Sequence, residues 1–229
     1  MLDGFKNDSN EIVRQALATN PVAPKETLAA LAKDKSSSVL KALATNPSTS
    51  ESTQLLLAQT NDLGVKQQLI LRRRGLSAKV MNEIAKDADN LMKVNLAQGV
   101  NTPPELLTSF SKDQDPTVRA IAAIHPRMPK PELANLASDQ STIVRAAVAS
   151  NKNVSSEVLS QLAKDGEDRV RIKVGSNPKT PVKVLVEMQD DLRPEVRQAV
   201  AANPRATKEI LKNLSDDPES WLTSPERTN

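Results

Sequence analysis

The amino-acid sequence predicts an all-α protein, a right-handed superhelical solenoid of about eight two-helix repeats of 26 residues. Three observations carry this reading. A motif returns at fixed spacing. Asp191–Pro204 reads DLRPEVRQAVAANP, and steps of 26 backwards find DGEDRVRIKVGSNP at Asp165–Pro178, DQSTIVRAAVASNK at Asp139–Lys152 and DQDPTVRAIAAIHP at Asp113–Pro126. A fixed period of this size is the signature of stacked repeats. Within a unit, apolar residues fall at i, i+3 and i+4, as in Val196, Ala199 and Val200 or Val118, Ile121 and Ala122. That is a helical stripe, not strand alternation. Aromatic residues are 1% of the chain against an apolar share of 38%. A thin two-layer stack of Ala, Val and Leu needs no large rings, whereas a round core would bury several.

In chain order, residues 1–7 read as the end of a half-repeat, because Leu2 and Phe5 stand 26 residues ahead of Leu28 and Leu31. The repeat array follows as one domain over 8–215. Its units start at Asp8, Asp34, about Thr60, Asp87, Asp113, Asp139, Asp165 and Asp191. The first helix of a unit carries the Val-Arg pair and is stopped at Asn-Pro, since proline lacks the amide that a continuing helix needs and pushes its predecessor out of the α region. The second helix starts four residues after the Asn, at Pro24, Ser50, Ser77, Pro103, Pro129, Ser155, Pro181 and Thr207. Ser and Thr cap helices and proline suits their first turn. Glu26, Glu105, Glu132, Glu157 and Glu209 follow, where the helix dipole favours a negative charge. Alanines at Ala16, Ala42, Ala147 and Ala199 are expected to let helices approach closely. A ninth unit begins at Asp217 and gives way to a cap or frayed tail, with residues 216–229 outside the array.

The third unit departs from the pattern. Arg72, Arg73 and Arg74 replace the Asn-Pro region, and one extra residue follows before the register resumes. Residues 61–100 hold seven basic side chains against four acidic ones, a surplus of +3 that equals the net charge of the whole chain. Three of the six glycines, Gly64, Gly75 and Gly99, fall in the same window.

The run V-R-x-A-V-A-x-N-P followed by L-x-x-L, carried by VRQAVAANP at 196–204, VRAAVASN at 144–151 and VRQALATNP at 13–21, resembles the leucine-rich repeat variant family. The resemblance covers about 8–216 and implies alternating short helices in a superhelix, one of each pair α and its partner sometimes 3₁₀. The D-x-x-x-x-V-R core is also similar to HEAT repeats. That likeness implies a scaffold for protein partners and, in some members, nucleic-acid binding or alkylpurine DNA glycosylase activity.

Candidate residues follow from the columns. Arg14, Arg119, Arg145, Arg171 and Arg197 each stand six residues after an acid: Asp8, Asp113, Asp139, Asp165 and Asp191. A line of cations suggests a phosphate track. The matched acids favour a charge-assisted structural ladder between repeats instead. Lys66 and Lys93 occupy the same column. The Asn column (Asn20, Asn46, Asn151, Asn177, Asn203) reads as helix-closing turn residues, because Asn tolerates the left-handed backbone common at helix ends. His125, the only histidine, takes an Asn position and has no ligand set or nucleophile beside it. The expected binding residues are Lys66, Arg72, Arg73, Arg74, Lys79 and Lys93. No catalytic residue, metal ligand or cofactor motif is expected: there is no cysteine, P-loop, G-x-G-x-x-G or H-E-x-x-H.

The expected function is a non-enzymatic scaffold for a protein partner. Nucleic-acid backbone binding over 66–93 is the alternative, and the mild pI of about 9.1 argues against a dedicated binder. A base-repair enzyme needs aromatic side chains around its target, and Trp221 stands alone. The N-terminus lacks an apolar signal core, no apolar run approaches a bilayer span of about 20 residues, and a cytoplasmic location without membrane contact is expected.

Overall fold

The computed structural model describes residues 2–71 and 75–216. It divides into two compact units, residues 1–106 and 107–229, and the boundary falls within α8. All regular structure among the described residues is helical.

Unit 1 opens with a 3₁₀ helix, Leu2–Asn7, packed on α1 and α2. The pairs then follow: α1 (Glu11–Thr19) and α2 (Lys25–Leu31), α3 (Ser37–Thr45) and α4 (Glu51–Ala58), α5 (Leu63–Leu71) and α6 (Ala78–Ala85), then α7 (Asn90–Ala97) and α8 (Pro104–Phe110). Unit 2 continues with α9 (Pro116–Ile124) and α10 (Lys130–Leu136), α11 (Thr142–Ser150) and α12 (Ser156–Leu162), α13 (Asp168–Ser176) and α14 (Val182–Met188), then α15 (Pro194–Ala201) and α16 (Lys208–Ser215). Both helices of each pair are α-helices.

Some first helices are capped by a side chain, whereas Ser141 and Glu167 stand at the caps of α11 and α13 without such a bond. Asn10 and Ser36 accept amides of α1 and α3, and Asp89 and Asp115 those of α7 and α9. Ser50, Ser77, Ser155 and Thr207 cap second helices in the same way. Pro24, Pro129 and Pro181 stand at the cap itself, with ψ near 140°, one residue before the position expected of a first-turn proline. Their fixed φ sets the entry into the helix without any side-chain bond.

In each unit, successive first helices stack side by side: α1 on α3 and α3 on α5, then α9 on α11, α11 on α13 and α13 on α15. The core lies between these helices and the second layer. Its buried residues include Val39 and Leu43 of α3 with Leu28, Leu31 and Leu57 of the second layer in unit 1, and Val144 and Val148 of α11 with Leu133, Leu159 and Leu162 in unit 2. The close approach of first helices rests on a column of small residues. Ala18, Ala44, Ala97, Ala123 and Ala149 are fully buried, and Gly175 takes the same place in α13. A Cβ on Gly175 would lie 3.1 Å from the Ala199 Cβ. Of the alanines expected to mark close approach, Ala147 and Ala199 are buried, whereas Ala16 is exposed and Ala42 half-buried. In α5 the column is broken by Ile70, and α5 packs more sparsely on α7 than on α3.

Candidate interaction surface

The recurring Asp and Arg meet across repeats. The carboxylate of Asp34 accepts from its own Ser36 amide at 2.8 Å, a local turn that aims it at the preceding unit. There Arg14 donates to it through Nε at 2.6 Å and Nη2 at 3.1 Å. Arg119–Asp139, Arg145–Asp165 and Arg171–Asp191 repeat this two-pronged pairing, with Nε distances of 2.7–2.8 Å. The other guanidinium nitrogen turns back onto the main chain. Nη1 of Arg145 donates to the carbonyls of Asp139 at 2.9 Å and Gln140 at 3.1 Å. The acid six residues before each Arg thus supplies a backbone oxygen, and the carboxylate comes from the next repeat. Arg197 likewise donates to the Asp191 carbonyl at 2.8 Å. Four of the five N–H groups of Arg145 are spent in this way.

The electrostatics follow from this geometry. The Arg14 hydrogen bond holds Asp34 below the ordinary carboxylate range. Burial pushes Asp139, Asp165 and Asp191 upwards, but the paired guanidinium, a backbone N–H and neighbouring positive charge outweigh it, so these three also lie low. Donating hydrogen bonds to the same carboxylates raises Arg119, Arg145 and Arg171.

A second ladder runs through the Asn column. The side-chain amide of Asn46 donates to the carbonyls of Ala18 at 2.6 Å and Asn20 at 3.0 Å. Asn151 does the same to Ala123 and His125, Asn177 to Ala149 and Asn151, and Asn203 to Gly175 and Asn177. Each receiving carbonyl lies at or near the C-terminal end of a first helix, where intrahelical donors run out. Each Asn Oδ1 meanwhile accepts the amide two residues on, as from Ser48, Asn153, Lys179 and Arg205. His125 imitates this half: its Nδ1 accepts from the Arg127 amide at 3.0 Å, so its proton resides on Nε2 in the neutral ring. The left-handed backbone expected at these positions is not found. Helix-closing Asn20, Asn46, Asn151 and Asn177 are extended, with φ between −68° and −77°, and no described residue has a positive φ. Asn is required here for its amide, not for tolerance of a strained turn.

Both ladders change in the third and fourth repeats. In the second repeat, Leu40 takes the Arg position and is buried. Lys41 lies against α5 instead, where a Cβ on Gly64 would fall 2.6 Å from its Cε. Its charge, after the Ser37 hydroxyl and the Val65 amide, helps to hold Asp62 low against the effect of burial. Lys66 is only 3% exposed, and its Nζ lies 2.6 Å from both carboxylate oxygens of Asp87. The expected surface cation is therefore a rung of the ladder, its flexible stem spanning the one-residue insertion. Lys79 is exposed on α6 and Lys93 half-buried on α7. Arg72, Arg73 and Arg74 lie outside the described residues. The Asn column is replaced by Arg72 and Gly99.

Where the Asn column fails, a pocket of about 290 Å³ opens among α5, α6, α7 and the turn after α7. Ile70, Leu76, Met81 and Leu96 give it an apolar lining, with Asn95 and Asn101 as polar groups. Gly75 is part of the wall, and a Cβ there would stand 2.8 Å from the Asn101 Nδ2. The turn is held by Thr102, whose hydroxyl donates to carbonyls of Leu96 and Gly99. Sequence reading identified this window by its charge and glycines but not the pocket. The available signal was Ile70 in a column otherwise filled by Ala and Gly. Among the described residues no cluster of His, Asp and Glu could hold a metal ion, and no helix is long and apolar enough to cross a membrane.

The chain is a helical solenoid of the leucine-rich-repeat-variant kind. It is similar to a solved structure described as a leucine-rich repeat variant with a novel repetitive structural motif. The two share 26% sequence identity over 87% of this chain and 79% of that one, with a TM-score of 0.65. A designed armadillo repeat protein matches over 93% of this chain and 98% of its own length, at 14% identity and a TM-score of 0.25. A scan against protein-family models finds no match, and neither does a search of curated proteins.

Proposed function

We propose that the protein is a non-enzymatic scaffold that binds a protein partner, and that the partner docks at the third and fourth repeats. One observation carries this reading: the guanidinium column that would make a phosphate track is consumed by stacking. Arg14, Arg119, Arg145 and Arg171 each face a carboxylate and two backbone carbonyls. The polar columns of the regular units thus serve the fold, and chemistry available to a partner concentrates where the units are irregular. Solenoids commonly use such extended surfaces for binding. The nucleic-acid reading retains only Arg72–Arg74, Lys79 and Lys93.

The test is cross-linking and affinity capture with the full chain, beside binding to a 30-nucleotide DNA in single- and double-stranded form. The scaffold reading expects a protein captured at physiological salt, with capture weakened by Arg72/Arg73/Arg74→Ala. Tight DNA binding with a steep salt dependence, lost in the same variant and with no protein captured, would replace it with the backbone-binding reading.

A further inference from the structure

We propose that α1 carries a self-association surface, on which a second copy of this chain packs its own α1 antiparallel across a two-fold axis. The surface is separate from the partner site at the third and fourth repeats and goes beyond the scaffold reading.

The uncovered face of α1 comes first. Within each unit, a later first helix is covered by the one before it, as α1 covers α3 and α11 covers α13. The positions that make this contact are closed there. Val39, Val144 and Val170 are fully buried, and Asn46, Asn151, Asn177 and Asn203 are buried. The same positions in the first repeat, Val13 and Asn20, are only half-buried. Ile12 is 70% exposed and Phe5 48%. With Ala16 and Leu17 these residues line an open, largely apolar groove of about 340 Å³.

The same face holds one acceptor and one donor that later repeats satisfy. The Asp8 carboxylate accepts the Asn10 amide at 2.8 Å, the local turn that in Asp34 aims the side chain at Arg14. Among the described residues no guanidinium meets Asp8. The Asn20 Oδ1 accepts the Val22 amide at 3.0 Å, as the Asn46 Oδ1 accepts the Ser48 amide. The Asn46 Nδ2 donates to two carbonyls of the preceding repeat, and among the described residues the Asn20 Nδ2 has no such acceptor.

These groups select a second copy as the occupant. Arg14 stands midway in the sequence between Asp8 and Asn20, and also between Ile12 and Ala16. A two-fold axis crossing α1 at the level of Arg14 therefore sets Asp8 of each copy towards Asn20 of the other, and Ile12 against the small Ala16. Such self-complementarity is what an isologous dimer requires. The Asn20 amide gains a charged acceptor, which makes a stronger bond than a neutral one. The Arg14 guanidinium is held by Asp34 and brings no like-charge clash to the axis. Head-to-tail extension of the array fits less well. It would bring α15 of a second copy onto α1 and require the Arg197 guanidinium to reach Asp8. Arg197 already donates to the carbonyls of Asp191 and Leu192 and has a further partner of its own. A nine-residue helix is only about 14 Å long, so the interface is small and the dimer transient.

The experiment is sedimentation equilibrium of the full chain from about 10 μM to about 1 mM, a range suited to small interfaces. A monomer–dimer equilibrium that stops at two copies is expected, because a two-fold contact closes on itself. Ile12→Glu sets a carboxylate in the apolar contact and is expected to weaken dimerisation at least about tenfold. Ile12 is so exposed that circular dichroism of this variant should match the parent. Asn20→Asp turns the polar pair into two carboxylates and is also expected to cost at least about tenfold, since the two-fold counts the change twice. Adding Asp8→Asn exchanges donor and acceptor, and the double variant is expected to return to within about threefold of the parent.

A chain that stays monomeric throughout overturns the proposal. Growth beyond two copies does so too, because a head-to-tail contact is then at work. A dimer indifferent to Ile12→Glu with the fold intact, or a double variant no better than Asn20→Asp alone, overturns it as well.

Discussion

Asn177→Asp separates two explanations of the Asn column. The Asn177 Nδ2 donates to the carbonyls of Ala149 at 2.7 Å and Asn151 at 3.2 Å, and its Oδ1 accepts the Lys179 amide at 2.9 Å. The side chain is 3% exposed. In Asn177→Ala, the Ala149 carbonyl near the end of α11 loses a buried donor, at a cost of about 1–3 kcal/mol. The Asn151 carbonyl keeps the Val154 amide, so its loss is smaller. With the Lys179 amide included, the total is roughly 2–4 kcal/mol. Aspartate retains the Lys179 bond but sets a carboxylate against two carbonyl oxygens, so Asn177→Asp should cost at least as much as Asn177→Ala. A residue that served only to close the helix would accept Asp within about 0.5 kcal/mol, because Asp makes the same local turn. Urea unfolding followed by circular dichroism at pH 7 should show the midpoint falling by about 1 M or more in both variants. An Asn177→Asp protein as stable as the parent would refute the inter-repeat ladder as the reason for Asn.

Arg145→Lys keeps the charge but loses the fork, and should destabilise by about 1–3 kcal/mol in the same urea assay, with Arg145→Ala costing more. Because Asp34, Asp139, Asp165 and Asp191 lie low in the folded state, the native protein binds fewer protons than the unfolded chain. Their contribution is complete above the ordinary aspartate value of about 3.9 and is lost as pH falls through the lower folded values. Urea midpoints between pH 7 and pH 2 should show this, with a smaller acid-induced loss in Asp165→Asn. Thr180 donates to the Val174 carbonyl at 2.6 Å, but Val154 occupies the same place one repeat earlier. Thr180→Val should therefore cost no more than about 1.5 kcal/mol by thermal unfolding.

The helical pairs and their starts were legible because they are marked locally: the Pro, Ser or Thr that opens the second helix recurs in all eight units, and the proline break after the first helix in five. The Asp–Arg relation was legible as a column, and its sequence spacing of six pointed to the acid of the same unit. The structure uses that acid's backbone oxygen and takes the carboxylate from 20 residues further on. The Asn ladder was not legible as a ladder. Its acceptors are main-chain carbonyls 26 and 28 residues earlier, and a carbonyl has no residue identity to recur. Lys66 illustrates the limit of reading charge as surface. Its column position marked it as a rung, but its place in a basic window suggested exposure, and burial beside Asp87 decides between them. The pocket arises from the size of Ile70 at a contact between helices, which a hydrophobic pattern treats as interchangeable with alanine.

The two ladders point in opposite directions. Each Arg reaches towards the unit that follows, and each Asn towards the unit that precedes it. A repeat is therefore a directional connector, with donor and acceptor roles reversed between its two sides. Any 26-residue copy inserted in register offers each neighbour what the original offered, so such a chain can lengthen by duplication without redesigning a contact. An insertion out of register breaks the rigid Asn link first, as in the third unit, and survives where a long lysine can still reach its carboxylate. The second unit makes the opposite exchange, with Leu40 in the Arg place while Asn46 keeps its two carbonyls, so either coupling can be lost singly.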